Sequence, residues 1–144
     1  MKLLSLSLLF LIVSLGCGQL PKKDFSRKWV RPTFSRNYSG TQSIINFHPI
    51  EYKNKIITAN NENGLQAFYK TLGFKSWSYK IKGGVSSPAL RVADFIFFSG
   101  HDGFAYSLSA KTGKVLWKKD IKFPSHQAFY YENGKVFIMN QKSE

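Results

Sequence analysis

Few side chains of this chain could bind a metal or act as an acid or base, and they are far apart in the sequence. There are three histidines, eight acidic residues and one cysteine. His48 and His126 are two repeat lengths apart, by the repeat described below, and have no third ligand near them. A protein zinc site needs three or four ligands, so we expect neither histidine to bind a metal. His101 stands beside Asp102 in a predicted turn, where we expect it to be exposed.

The acidic and nucleophilic residues form no recognisable catalytic motif. The eight acidic residues are scattered along the chain and make no cluster. The residue types of a Ser-His-Asp triad are present, but the Gly-x-Ser-x-Gly motif of hydrolases does not occur. We therefore predict that the chain is not an enzyme, with no catalytic residue, no metal and no cofactor.

The only cysteine, Cys17, stands where an export signal would end. Lys2 gives a positive start, residues 3–15 are apolar apart from serines, and Gly16 precedes the cysteine. The apolar run is too short to span a bilayer comfortably. This arrangement resembles a bacterial lipobox, although Ser14 departs from the usual pattern, and it predicts a lipid-anchored protein of the cell envelope, on the outer membrane facing the periplasm. The alternative is ordinary cleavage and a periplasmic or secreted protein. A single cysteine excludes an internal disulfide.

The strongest pattern is a repeat with a period of 39–40 residues, seen in residues 63–77 and 102–117. Each copy ends in a glycine turn followed by Trp77 or Trp117. Aligning Gly64 with Gly103 gives an offset of 39, and we place one extra residue in the last turn of the second copy. A third, truncated copy starts near His126. Repeats of this length, rich in short strands, are typical of propeller blades.

Each copy reads as a four-stranded antiparallel meander, and no helical periodicity follows the signal segment. In the second copy we predict strands over 89–92, 95–98, 104–108 and 115–118, with glycine turns at Asp102-Gly103 and Lys111–Lys114. In the first copy we predict strands over 56–57, 65–69 and 74–79. The predicted organisation is a signal peptide (1–17), a tether with one strand of a preceding blade near Trp29 (18–46), and repeats with two complete blades and a truncated third (47–144).

The turns resemble a known motif, alanine-x-aspartate-x-x-threonine-glycine-x-x-x-tryptophan, which marks the quinoprotein-like (PQQ-repeat) β-propellers. Residues 107–117 match it at Thr112, Gly113 and Trp117, and residues 67–77 match it at Ala67, Gly73 and Trp77. The resemblance implies an all-β fold, a partial β-propeller of four-stranded antiparallel blades. It also implies that Trp77 and Trp117 pack over the glycine turn of the neighbouring blade. The alternative for both tryptophans is a binding platform.

Together, the repeat motif and the lipobox resemble those of the propeller lipoproteins of the outer-membrane β-barrel assembly machinery. It implies a non-catalytic scaffold whose partners are envelope proteins, including components of that machinery, with the membrane bound through lipid on Cys17. Open blade edges also allow self-association. One alternative is an inactive fragment of a larger propeller, from a truncated or split gene. Another is a quinone-dependent dehydrogenase, although the calcium-binding carboxylates and adjacent cysteines of those enzymes are missing.

The chain carries a formal net charge of +13, and its lysines are spread through every repeat. We interpret them as a solvated surface, with lysines on the outer strand of each blade that discourage aggregation. Attraction to an anionic membrane or an acidic partner is the alternative. For an exported protein we expect no nucleic acid as a partner.

Overall fold

The computed structural model describes residues 29–33 and 47–139. Cys17 and the signal segment lie outside the described residues. The described part contains ten strands and no helix. The strands are β1 (Ile50–Tyr52), β2 (Lys55–Asn60), β3 (Gly64–Tyr69), β4 (Lys75–Tyr79), β5 (Leu90–Val92), β6 (Phe95–Ser99), β7 (Phe104–Ser109), β8 (Val115–Asp120), β9 (Tyr130–Glu132) and β10 (Lys135–Phe137). No helix within these residues is long and apolar enough to cross a membrane.

The strands form two complete four-stranded sheets and one half-built sheet. The orders β1-β2-β3-β4 and β5-β6-β7-β8 are simple antiparallel meanders, and among the described strands β9 pairs with β10 alone. Glycines with positive φ close the turns before β4 and β8, where Gly73 and Gly113 have φ of 68° and 72°. Glycine adopts this conformation without the strain that a Cβ would add.

The structure corrects the predicted register of the repeat, because equivalent positions in the two sheets differ by 40 throughout. Tyr52 pairs with Lys55 across the first hairpin and Val92 pairs with Phe95 across the second. Both copies also carry a bulge at the same place in the third strand, after Ala67 and Ser107. The extra residue predicted in the last turn is therefore absent. The mismatch lies in the turn between the second and third strands, where the positive-φ glycine has shifted by one position.

The core lies between the two complete sheets. It is built from side chains of both, including Ile57, Leu65, Ile96, Phe98 and Tyr106, all of which are buried. A second, smaller cluster joins the second sheet to the half-built third through Phe97, Ala105 and Phe129. Burying a large apolar side chain contributes about 1.5–3 kcal/mol. Because most of these side chains are covered by the neighbouring sheet, each sheet depends on the next for its stability.

Consecutive four-stranded meanders that stack face to face through apolar side chains are blades of a β-propeller. The predicted fold class is confirmed: the protein is all-β, with blade 1 (β1–β4), blade 2 (β5–β8) and a third half-blade (β9–β10). Trp29 lies where a preceding blade would end, but the segment 29–33 is not a strand.

Candidate docking site at the blade junctions

Trp77 joins blade 1 to blade 2 by packing on the glycine turn of blade 2. Its indole Nε1 donates a hydrogen bond to the carbonyl oxygen of Ala110 at 3.1 Å. A Cβ atom placed on Gly113 would lie 2.5 Å from the Cε3 atom of Trp77. The ring therefore covers the turn so closely that only glycine fits beneath it. The predicted docking residues Trp77 and Gly113 are thus in contact.

Trp29 makes the same contact with the turn of blade 1. Its Nε1 donates to the carbonyl oxygen of Lys70 at 2.7 Å, and a Cβ on Gly73 would lie 2.6 Å from the ring. The Nε of Arg31 donates to the carbonyl oxygen of Gly73 at 3.2 Å. The carbonyl oxygen of Thr33 accepts bonds from two asparagines of blade 1. This segment occupies the position that β4 occupies on blade 2, although it pairs with no strand among the described residues.

Two polar contacts accompany Trp77 at the junction of blades 1 and 2. The hydroxyl of Tyr52 donates to Oδ1 of Asp94 at 2.8 Å. The Nζ of Lys55, in a side chain that is almost fully buried, donates to the carbonyl oxygen of Lys111 at 2.6 Å. Buried polar groups that find partners in the next blade fix the lateral position of the two sheets as well as their separation.

Trp117, the equivalent of Trp77, has no glycine turn beneath it among the described residues. Its side chain is 40% exposed, compared with 9% for Trp77. It contacts Phe97 with a ring-centroid distance of 6.0 Å and borders a cleft of about 500 Å³ between blade 2 and the half-blade. The other lining residues include Phe95, Tyr131, Gly134 and Val136. This cleft is the open counterpart of the junction that Trp77 fills.

The last turn and the outer strand of blade 2 carry several lysines. Thr112, a predicted docking residue, is exposed and its Oγ1 accepts a bond from the backbone N–H of Lys114 at 3.3 Å. Lys118 lies 3.7 Å from the ring centroid of Phe104, so its charge is placed over an aromatic face. Lys119 is exposed beside it. Lys118 thus lies on the face of blade 2 that carries Tyr106, whereas Trp117 lies on the other face against Phe97.

Asp102 and Tyr106 form a half-buried polar cluster that the sequence did not predict. The Tyr106 hydroxyl donates to Oδ2 of Asp102, and Nζ of Lys118 lies 3.6 Å from the same oxygen. Burial, and then the bond to Asp102, raises the pKa of Tyr106. Burial also raises the pKa of Tyr79, whose ring contacts that of Tyr106 edge to face. Both phenols therefore stay protonated at neutral pH, which suits a structural role and not that of a base.

The histidines do not assemble a metal site within residues 29–33 and 47–139, where no three metal-binding side chains gather. His101 and His126 are close, with ring centroids 5.8 Å apart, and both are exposed. His48, also exposed, is not part of this pair. The pKa of His101 is lowered by partial burial and then by the proximity of His126. Two nearby imidazoles are consistent with a contact between blade 2 and the half-blade.

Four buried serines form a second polar network that joins blade 2 to the half-blade and was not predicted. The hydroxyls of Ser86 and Ser99 are 2.9 Å apart, and both donate to the carbonyl oxygen of Ser125. The Oγ of Ser87 accepts from the backbone N–H of Ser99. Each hydroxyl has a partner, so the network fixes the segment before β9 against the second sheet.

No protein-family model and no curated protein matches the chain. Solved structures do resemble it. The computationally designed Ika8 protein aligns with a TM-score of 0.51 and 14% identity, over 61% of this chain and 28% of Ika8. The designed Ika4 protein aligns with a TM-score of 0.52 and 13% identity, over 61% of this chain and 55% of Ika4. These likenesses support the fold alone.

BamB from Moraxella catarrhalis also aligns, with 22% identity over 49% of this chain and 22% of BamB. Its TM-score of 0.44 is too low to indicate a shared function. The chain therefore spans between about a fifth and just over half of the solved structures it resembles.

Proposed function

We propose that this protein is an exported, lipid-anchored, non-catalytic propeller module of the quinoprotein-like type that binds other envelope proteins. The observation that carries the proposal is the open junction at Trp117, where an apolar cleft and a tryptophan ring with no described turn beneath it face solvent. Exposed apolar surface of this kind is typical of protein-binding sites. Components of the outer-membrane β-barrel assembly machinery are the envelope partners that the repeat motif and the lipobox favour.

A non-catalytic role is supported by the way the titratable groups are used. Asp102 is occupied by Tyr106 and Lys118, and Asp94 is occupied by Tyr52. These carboxylates hold parts of the fold together and do not face a common cavity. The proposal accordingly assigns binding to the blade faces and no reaction to the acidic residues.

Membrane anchoring is tested by replacing Cys17 with serine. We expect the wild-type chain in the membrane fraction and Cys17→Ser in the soluble fraction of the envelope, because the thiol that would carry the lipid is absent. Ser26→Ala, a change in the predicted tether, serves as the matched control and should stay with the membrane. Membrane association of Cys17→Ser would contradict the lipid anchor.

A second candidate is that the chain is a segment of a larger propeller and has no activity alone. The third blade favours it, because the described residues contain two strands of a four-stranded unit. Sequencing the gene beyond the codon for Glu144 tests it. Further blades in any reading frame would favour the segment, and unrelated sequence would favour the independent module.

A further inference from the structure

The last turn of blade 1, residues 70–74 between β3 and β4, exposes two large apolar side chains. Leu72 is 60% exposed and Phe74 is 58% exposed, one on each side of Gly73. The ring of Trp29 already covers Gly73, so the junction above this turn is filled. The exposure of Leu72 and Phe74 therefore does not arise from an empty junction.

The equivalent turn of blade 2 carries polar side chains at the same two positions. With the offset of 40 between the blades, Thr112 stands where Leu72 stands. Lys114 likewise stands where Phe74 stands. Thr112 and Lys114 are exposed although Trp77 of the neighbouring blade packs on their turn. A neighbouring blade thus leaves both positions uncovered, and the fold does not require apolar residues there.

Cations lie beside the two apolar side chains. The Cζ atom of Arg31 is 5.4 Å from the ring centroid of Phe74, and Lys75, the next residue, is exposed. Neither Arg31 nor Lys75 forms an ion pair within the described part of the chain. The carboxylate of Glu51 pairs instead with Lys70, at the start of the turn. The turn therefore combines exposed apolar side chains with uncompensated positive charge.

An anionic lipid surface fits this combination better than a protein partner does. A stable protein interface takes about 20–30 residues from each partner, and this turn offers two apolar side chains. Apolar side chains that project from a surface can enter the headgroup region of a bilayer while polar groups beside them stay in water. Lysine and arginine near the bilayer are attracted to anionic headgroups, and the whole chain carries a formal net charge of +13.

From these observations we propose that the last turn of blade 1 docks on an anionic lipid surface. Leu72 and Phe74 enter the headgroup region, and Arg31 and Lys75 contact the anionic headgroups. The contact goes beyond the proposed function, which assigns membrane binding to a lipid on Cys17. By itself it is weak and reversible, as a single membrane-binding signal is, so it orients an anchored protein and does not retain Cys17→Ser in the membrane fraction.

A fluorescent label on the turn tests the contact in the full-length protein. Cys17 is the only cysteine, so Cys17→Ser combined with Leu72→Cys leaves one thiol for an environment-sensitive nitrobenzoxadiazole label. Vesicles of equal parts phosphatidylcholine and phosphatidylglycerol should raise its fluorescence, because the label leaves water. Thr112→Cys in the same background is the matched control, since it holds the equivalent position in blade 2. Its label should not respond.

Titration with the same vesicles measures the affinity through the lipid concentration at the midpoint. Phe74→Ser, which removes an apolar side chain and keeps the charge, should raise this concentration at least about tenfold. Lys75→Gln should raise it about fivefold, because one cation near the anionic surface is lost. Phe123→Ser removes a side chain that is 50% exposed outside the turn and should leave the midpoint unchanged. All variants keep residues 1–17, so any contribution of that segment is the same in each.

Four results would overturn the proposal. They are no response of the label at position 72, an equal response at position 112, an equal response to vesicles of phosphatidylcholine alone, and an unchanged midpoint for Phe74→Ser. A response that grows with protein concentration without vesicles would assign the turn to a second copy and overturn it too. Because every variant lacks the thiol that would carry the lipid, this contact and the anchor at Cys17 can fail independently.

Discussion

Replacing Gly113 with alanine should destabilise the protein through its contact with Trp77. Gly113 has φ of 72°, and a non-glycine residue in this left-handed conformation costs about 1–2 kcal/mol. The new Cβ would also lie 2.5 Å from the indole ring, which must then move out of the junction. Losing a buried tryptophan entirely costs about 3–5 kcal/mol, and a displaced ring loses part of that. We expect a total loss of about 3–5 kcal/mol in the free energy of unfolding.

Two comparisons separate the backbone strain from the lost packing. Gly134→Ala provides the first, because Gly134 has φ of 78° and no atom within 4 Å of its added Cβ, so only the strain of about 1–2 kcal/mol applies. The second introduces Gly113→Ala into Trp77→Ala, where its cost should fall to the strain alone. Urea unfolding followed by circular dichroism measures each free energy. An unchanged cost of Gly113→Ala without the indole would refute the proposed role of Trp77.

Three smaller perturbations test the polar contacts. Tyr52→Phe, which loses its hydrogen bond to the next blade, should lower the free energy of unfolding by about 0.5–1.5 kcal/mol in the same urea assay. Asp102→Asn should lower the pKa of Tyr106, which phenolate absorbance measures. Because folding raises this pKa, the free energy of unfolding of the wild-type protein should decrease as pH rises above 10.0, and that of the variant should decrease less. His126→Ala should raise the pKa of His101, which an NMR titration measures. Because folding lowers this pKa, the contribution of His101 to the free energy of unfolding is present above pH 6.5 and declines as pH falls.

The strands could be inferred from the sequence because their signals are local, whereas the tryptophan contacts were inferred from the resemblance of the turns to a known repeat motif. The apolar run of β6 and the glycine turns specify a meander without any knowledge of neighbouring blades. The motif at Thr112, Gly113 and Trp117 led to the prediction that a tryptophan packs over a glycine turn. The structure places Trp77 on Gly113 and leaves Trp117 partly exposed beside its cleft.

The register was wrong because the alignment relied on glycine. The hairpins before β2 and β6 turn through Lys53 and Ala93, which have positive φ although neither is glycine. Gly64 and Gly103 occupy non-equivalent places in the next turn, so aligning them shifted the first half of the repeat by one residue. Strand pairing, which depends on backbone hydrogen bonds, determines the true offset of 40.

The polar clusters were missed because stacking of blades creates them. His101 and His126 belong to different repeats and meet only when the half-blade packs on blade 2. The serine network has the same origin, since Ser86 and Ser125 come together across that junction. Neither pair has a spacing in the sequence that distinguishes it from ordinary surface residues.

The tryptophan contacts also bear on how such a chain can lengthen during evolution. Blade 1 carries both halves of the junction, since its turn receives Trp29 and its own Trp77 reaches the turn of blade 2. Duplicating a segment of 40 residues would therefore add one tryptophan and one glycine turn together, and every junction would keep a matched pair. Deleting such a segment would likewise leave no tryptophan without a glycine turn between the remaining blades. A fold assembled in this way tolerates changes in the number of blades far better than insertions of a few residues within one.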